Sequence, residues 1–102
     1  MKEYKLKLVG QNLTKVGAWE PLVSGSKGYV KFKIVMDDDW KGCTGRVMKF
    51  ATAKAESYSP IYRDGSCVLP DDVSDYRKVI LTAIGVSGDT KIISKSLEVR
   101  QK

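Results

Sequence analysis

The chain contains no histidine. That removes the commonest general base, the Ser-His and Cys-His nucleophile pairs and the commonest zinc ligand. Cysteine occurs only at Cys43 and Cys67. Two are too few for a disulfide framework or a closed zinc site. They read as free thiols, with Cys67 acting as a small buried hydrophobe between Ser66 and Val68. Proline is limited to three residues, and no apolar run reaches the ~18 residues of a membrane helix. Met1 to Val9 alternates lysine with apolar residues and lacks the unbroken apolar stretch of a secretory signal. Acids are outnumbered by bases, 12 to 18.

The resulting charge of +6 is uneven along the 102 residues. Residues 1–35 carry +5, residues 36–75 carry −3 and residues 76–102 carry +4. A basic balance can mark a nucleic-acid surface. Here the bases are mostly lysines alternating with apolar residues, which describes the solvated face of strands and discourages edge-to-edge pairing. Nucleic acid and membrane are therefore not expected partners. A length of 102 residues corresponds to a single domain spanning 1–102.

Period two dominates what is present. Tyr4, Leu6 and Leu8 alternate with Lys5 and Lys7, and Val30, Phe32, Ile34 and Met36 alternate with Lys31 and Lys33. Each set places its apolar members on one sheet face. Arg46 to Ala53 offers Met48 and Phe50 on one face. Val79 to Val86 is apolar on both faces, the mark of a central strand covered on both sides. In Ile92 to Val99, Lys95 falls on the face of Ile93, Leu97 and Val99, which predicts an edge strand or a bulge. Pro60 makes the Tyr58–Tyr62 segment a short edge strand, with Tyr58 and Tyr62 on one face.

Turn signals separate these segments. Asp64-Gly65 predicts a two-residue hairpin, and Ser87-Gly88-Asp89 separates the last two strands. Ser24 to Gly28 predicts a flexible loop. Pro70-Asp71-Asp72-Val73 predicts one helical turn with proline early in it. Asp37-Asp38-Asp39 lacks the alternating ligands and central glycine of a calcium loop and reads as a solvated turn. Seven or eight short strands at this spacing predict an all-β fold, an immunoglobulin-like antiparallel β-sandwich. A small β-barrel is the alternative.

No catalytic constellation emerges. Ser26 and Ser87 adjoin glycines without completing a nucleophile elbow, and no phosphate-cradling loop is present. Asn12-Leu13-Thr14 fits the glycosylation pattern by coincidence. No cofactor or metal is expected. Trp40 is placed as a cap on the open end of the core. Trp19, Tyr58 and Tyr62 are candidates for contact with a saccharide or a protein, because such rings serve docking and sugar stacking. Their bland alternative is the core or its rim.

The order of features carries a resemblance. Trp40-Lys41-Gly42 follows the Tyr29–Met36 strand. Tyr62 to Pro70 then supplies Asp64-Gly65-Ser66-Cys67-Val68-Leu69-Pro70, and Gly85-Val86-Ser87-Gly88 follows. Across about Tyr29 to Leu97 the chain resembles a small β-sandwich domain of bacteriophage and prophage tail or baseplate proteins, especially those of Gram-positive hosts. The resemblance implies a non-enzymatic virion component assembled in the host bacterial cytoplasm. It also implies Trp40, Gly42, Gly65, Cys67 and Pro70 as structural anchors, and other virion proteins as partners. A homo-oligomeric ring follows from tail symmetry, with Lys31 and Lys33 facing the acidic middle of a neighbouring copy. A host-attachment module binding a surface saccharide and a capsid decoration protein are the alternatives.

Overall fold

The computed structural model describes residues 1–102. Two open sheets enclose one core. The first holds β1 (Lys2–Val9), β2 (Asn12–Lys15), β3 (Val30–Met36) and β6 (Ser66–Val68), in the order β2-β1-β3-β6. The second holds β4 (Gly45–Ala51), β5 (Glu56–Pro60), β7 (Lys78–Ser87), β8 (Thr90–Ile93) and β9 (Leu97–Arg100). Its order is β5-β4-β7-β8, with β9 also on β7. Neither sheet closes on itself, so the fold is a sandwich and not a barrel. The chain changes sheets between β3 and β4, between β5 and β6, and between β6 and β7, as immunoglobulin-like chains do.

The alternation read from the sequence is the burial pattern of the strands. Tyr4, Leu6 and Leu8 are buried on β1, and Phe32, Ile34 and Met36 on β3. Opposite them lie Met48 and Phe50 of β4 and Val79, Leu81 and Ala83 of β7, all buried. Phe32 and Phe50 join the layers, with ring centroids 6.0 Å apart. The core cluster comprises 20 residues, and its burial supplies the main drive to fold.

Several expectations require correction. The pairing is not antiparallel throughout, because β1 runs parallel to β3, with Tyr4 opposite Phe32. The turn at Gly10, with φ +56, folds β2 back on β1 and fills the other edge of β1. Asp64-Gly65 does not close a simple hairpin, since β5 and β6 belong to different sheets. The turn is a crossover, closed by Tyr62 N–H donating to the Ser66 carbonyl at 3.0 Å. Tyr62 lies beyond the end of β5 and shares no strand with Tyr58. β7 is central but covered on one face only, because Ile80, Thr82 and Ile84 are half-buried. Asp37 to Asp39 is not a plain solvated turn. It opens the one-turn helix α1 (Asp38–Lys41), which Asp37 caps.

The expected irregularity near Lys95 is a bulge. Ile84 pairs with Ile93 and Leu81 with Leu97, so Thr82 and Ala83 face Ser94, Lys95 and Ser96. The extra residue turns Lys95 out of the core register. Buried Ser94 repairs the ladder, its hydroxyl accepting from the Ala83 amide at 2.8 Å. β8 and β9 are therefore one bulged edge strand. β5, with Pro60, forms the opposite edge.

Candidate docking surfaces

Trp40 closes one end of the core and is fully buried. Its position follows from a local network. Asp37 Oδ2 accepts from the Gly10 amide at 2.7 Å, and Asp37 Oδ1 accepts from the Trp40 amide at 3.4 Å. Trp40 Nε1 then donates to the Gly10 carbonyl at 2.6 Å. A carboxylate at the helix N-cap thus binds the β1–β2 turn to α1. Gly42 ends the helix, its amide donating to the Asp38 carbonyl at 3.0 Å. The acidic run is used for architecture. No three of the Cys, Asp and Glu side chains gather as a metal-ligand set.

The remaining anchors are placed by the β3–β6 pairing. Gly65 is buried with φ +88, and a Cβ there would run into the Ile34 carbonyl. Cys67 sits opposite Phe32 and is fully buried. Burial pushes its thiol up to about 12, the reverse of an activated nucleophile. Cys43 is a second buried free thiol. Pro70, with φ −65, leads into the 3-10 turn Asp71–Val73.

The candidate contact residues do not converge on one place. Trp19 is half-buried, with its ring centroid 4.9 Å from Tyr4 and 6.1 Å from Phe32. Lys15 Nζ lies 5.0 Å from the indole centroid, and Trp19 Nε1 donates to the Lys5 carbonyl at 3.1 Å. Core packing and this cation engage the ring that a sugar would stack on. Tyr58 and Tyr62 are each 57% exposed. Tyr58 is on the outer face of β5 opposite Lys49, and Tyr62 is in the crossover turn.

Lys31 and Lys33 project from the outer face of the first sheet. Both are engaged within the chain, Lys31 with Glu3 at 3.7 Å and Lys33 with Asp64 at 3.8 Å. Asp64 is held below the usual carboxylate range, first by the Ser66 hydroxyl and then by the Ser66 amide. The charge blocks of the sequence are therefore interleaved in space. The acids of the middle third lie at α1, at the Asp64 turn and along Asp71–Asp75, and do not form one face.

The outer face of the second sheet carries the less obvious feature. Pro60, Val47, Ile84 and Ile93 form one cross-strand row over β5, β4, β7 and β8. Val86 extends the row on β7 and is 42% exposed, and Ile93 is 44% exposed. No element covers this face. The row combines the outward apolar residues of Val79–Val86, a segment whose two apolar faces predict cover on both sides, with neighbours that register alone reveals. No helix is long and apolar enough to cross a membrane. Comparison with protein-family models gives no match, and comparison with characterised proteins gives none either.

Proposed function

We propose that the chain is a non-enzymatic structural domain of a bacteriophage virion, in the tail or baseplate, acting by docking to neighbouring proteins. The observation that carries the docking reading is the uncovered row Pro60-Val47-Ile84-Ile93 on the outer face of the second sheet. Apolar side chains in contiguous rows gain when a partner removes them from water. The deeply buried, high-pKa Cys67 and the structural use of Asp37 support a scaffold over a catalyst. The virion assignment rests on the order of the Trp-x-Gly, Asp-Gly-x-Cys-x-x-Pro and Gly-Val-x-Gly segments described above. The first and third of these meet in space, because Trp40 packs against Gly85.

Immunogold electron microscopy of particles released by the strain carrying the gene tests the assignment. Label on tails or baseplates is the expected result. Particles bearing no label, with the protein present in the same cells, would overturn it.

A saccharide-binding reading draws on the exposed rings of Tyr58 and Tyr62. Saturable quenching of intrinsic fluorescence by a cell-wall saccharide, abolished in Tyr58→Ala, would favour it over protein docking. Label confined to the capsid would instead favour a decoration protein.

A further inference from the structure

We infer that the groove between α1, the start of β4 and the Arg63 turn binds the carboxylates of an acidic segment on a docking partner. The identity of the occupant rests on the docking reading; the anion site rests on the groove itself. The groove has a volume of about 500 Å³, and its walls include Lys41, Arg46, Arg63, Thr44, Met36 and Cys43. Three cations face it and no acid lines it. None of the three takes part in an ion pair within the chain.

Arg46 gives the groove a fixed charge. Its Nη1 donates to the carbonyls of Trp40 and Cys43, each at 2.9 Å. Two bonds to one end of a planar guanidinium set its plane. Its Nε is buried with no hydrogen-bond partner. The guanidinium is thus held in place, with no carboxylate of the chain paired to it. Nη2, which makes no hydrogen bond within the chain, is the donor left for a carboxylate, and a bond from a charged donor to a charged acceptor is a strong one. Lys41 and Arg63 are exposed, and their long stems can carry the charged heads to such a group.

The surroundings select among anions. Across Gly42 and Cys43 lies a second depression, of about 320 Å³, lined by Asp38 and Asp39. A nucleic-acid backbone leaving the groove on that side would meet like charge, and the groove itself offers no aromatic ring for a base. A short acidic segment ends before reaching those aspartates. A second copy of the chain would bring a net charge of +6 against +6, which opposes its approach at low salt. An acidic partner is instead drawn in.

The test is an amide-shift titration of the full chain with capped tetraglutamate at low salt. Saturable shifts are expected at Gly42, Thr44 and Arg63. Arg63→Glu and Lys41→Glu are each expected to weaken binding about tenfold, because reversing an exposed cation replaces attraction of the bound anion by repulsion. Both positions are exposed, so an unchanged spectrum elsewhere establishes that the variants fold. Arg46→Lys keeps the charge but loses the planar group that the Trp40 and Cys43 carbonyls orient, and is expected to weaken binding as well.

Shifts centred on Lys5 and Lys7, or equal affinity in Arg63→Glu, would overturn the proposal. Tighter binding of inorganic phosphate or a single-stranded oligonucleotide would overturn the carboxylate assignment. Shifts that track the chain's own concentration without peptide, and vanish in Asp38→Asn with Asp39→Asn, would make the occupant a second copy. Absence of peptide binding alongside intact docking through Ile84 would remove the groove and leave the docking reading in place.

Discussion

The indole of Trp40 lies directly against Gly85. A Cβ at position 85 would stand 2.9 Å from Trp40 Cζ3 and 2.8 Å from Cys43 Sγ. Glycine is required here by the approach of a ring to a strand, a relationship between residues far apart in sequence. Gly85→Ala is expected to destabilise the fold by about 1–3 kcal/mol through overpacking. Urea unfolding checks this. The double variant Gly85→Ala with Trp40→Leu should cost less than the two single changes summed. Additive losses would show that the two residues do not share the contact.

Gly65 is constrained by backbone instead. Its φ is +88 and the Ile34 carbonyl occupies the place of a Cβ. Gly65 also accepts from the Ile34 amide at 2.8 Å, prolonging the β3–β6 pairing. Gly65→Ala is expected to cost about 3 kcal/mol or more, because strain and clash combine. Gly88→Ala, with φ +57 but nothing near it, should cost only about 1 kcal/mol. Equal losses at the two sites would contradict the close approach.

Stability should fall at both ends of the pH scale for separate reasons. Burial raises the folded Cys67 thiol from its ordinary 9.0 to about 12. The folded state therefore holds a proton that the unfolded chain has released. The contribution is complete below pH 9.0 and disappears as pH rises toward about 12. Cys67→Ala should flatten that alkaline limb in thermal melts. Asp64 has the opposite sign. Its folded pKa lies below the ordinary 3.8, so its contribution is present above that value and lost as pH falls through the folded pKa. Asp64→Asn should remove part of the acid limb only.

Docking and stability should separate on the outer faces. Ile93→Lys changes a side chain that is 44% exposed, so stability should move by only about 0.5 kcal/mol. Incorporation into particles should drop sharply, because a charge in the apolar row has no partner. Lys31→Glu with Lys33→Glu sets like charges against Glu3 and near Asp64. It should cost up to about 1 kcal/mol of stability and leave incorporation nearly intact if the second sheet carries the contact. Loss of incorporation in the lysine variant alone would move the interface to the first sheet.

Much of the architecture was legible because it is local. The lysine-spaced strands, the Gly88 turn, the Pro60 edge, the irregularity at Lys95 and the helical turn after Pro70 each depend on a few consecutive residues. The hairpin at Gly10 leaves little trace in the sequence because the short β2 buries only Leu13. The sequence does not separate Tyr62 from the Tyr58 strand, because Asp64-Gly65 carries the same signal in a hairpin and in a crossover between sheets. Of the candidate contact residues, Tyr58 and Tyr62 are exposed, whereas Trp19 is taken up by Tyr4, Phe32 and Lys15. Lys41, Arg46 and Arg63 gave no signal as a group, since they come from a helix end, a strand and a turn.

The sequence by itself determined the alternation of buried and solvated residues, the turns and the all-β class, since these depend on backbone periodicity and nearest neighbours. Tertiary structure alone decided that β1 runs parallel to β3, that Trp40 rests on Gly85, and that Lys41, Arg46 and Arg63 line one groove. Strand order and register join distant segments, and no spacing along the chain encodes which faces they bring together.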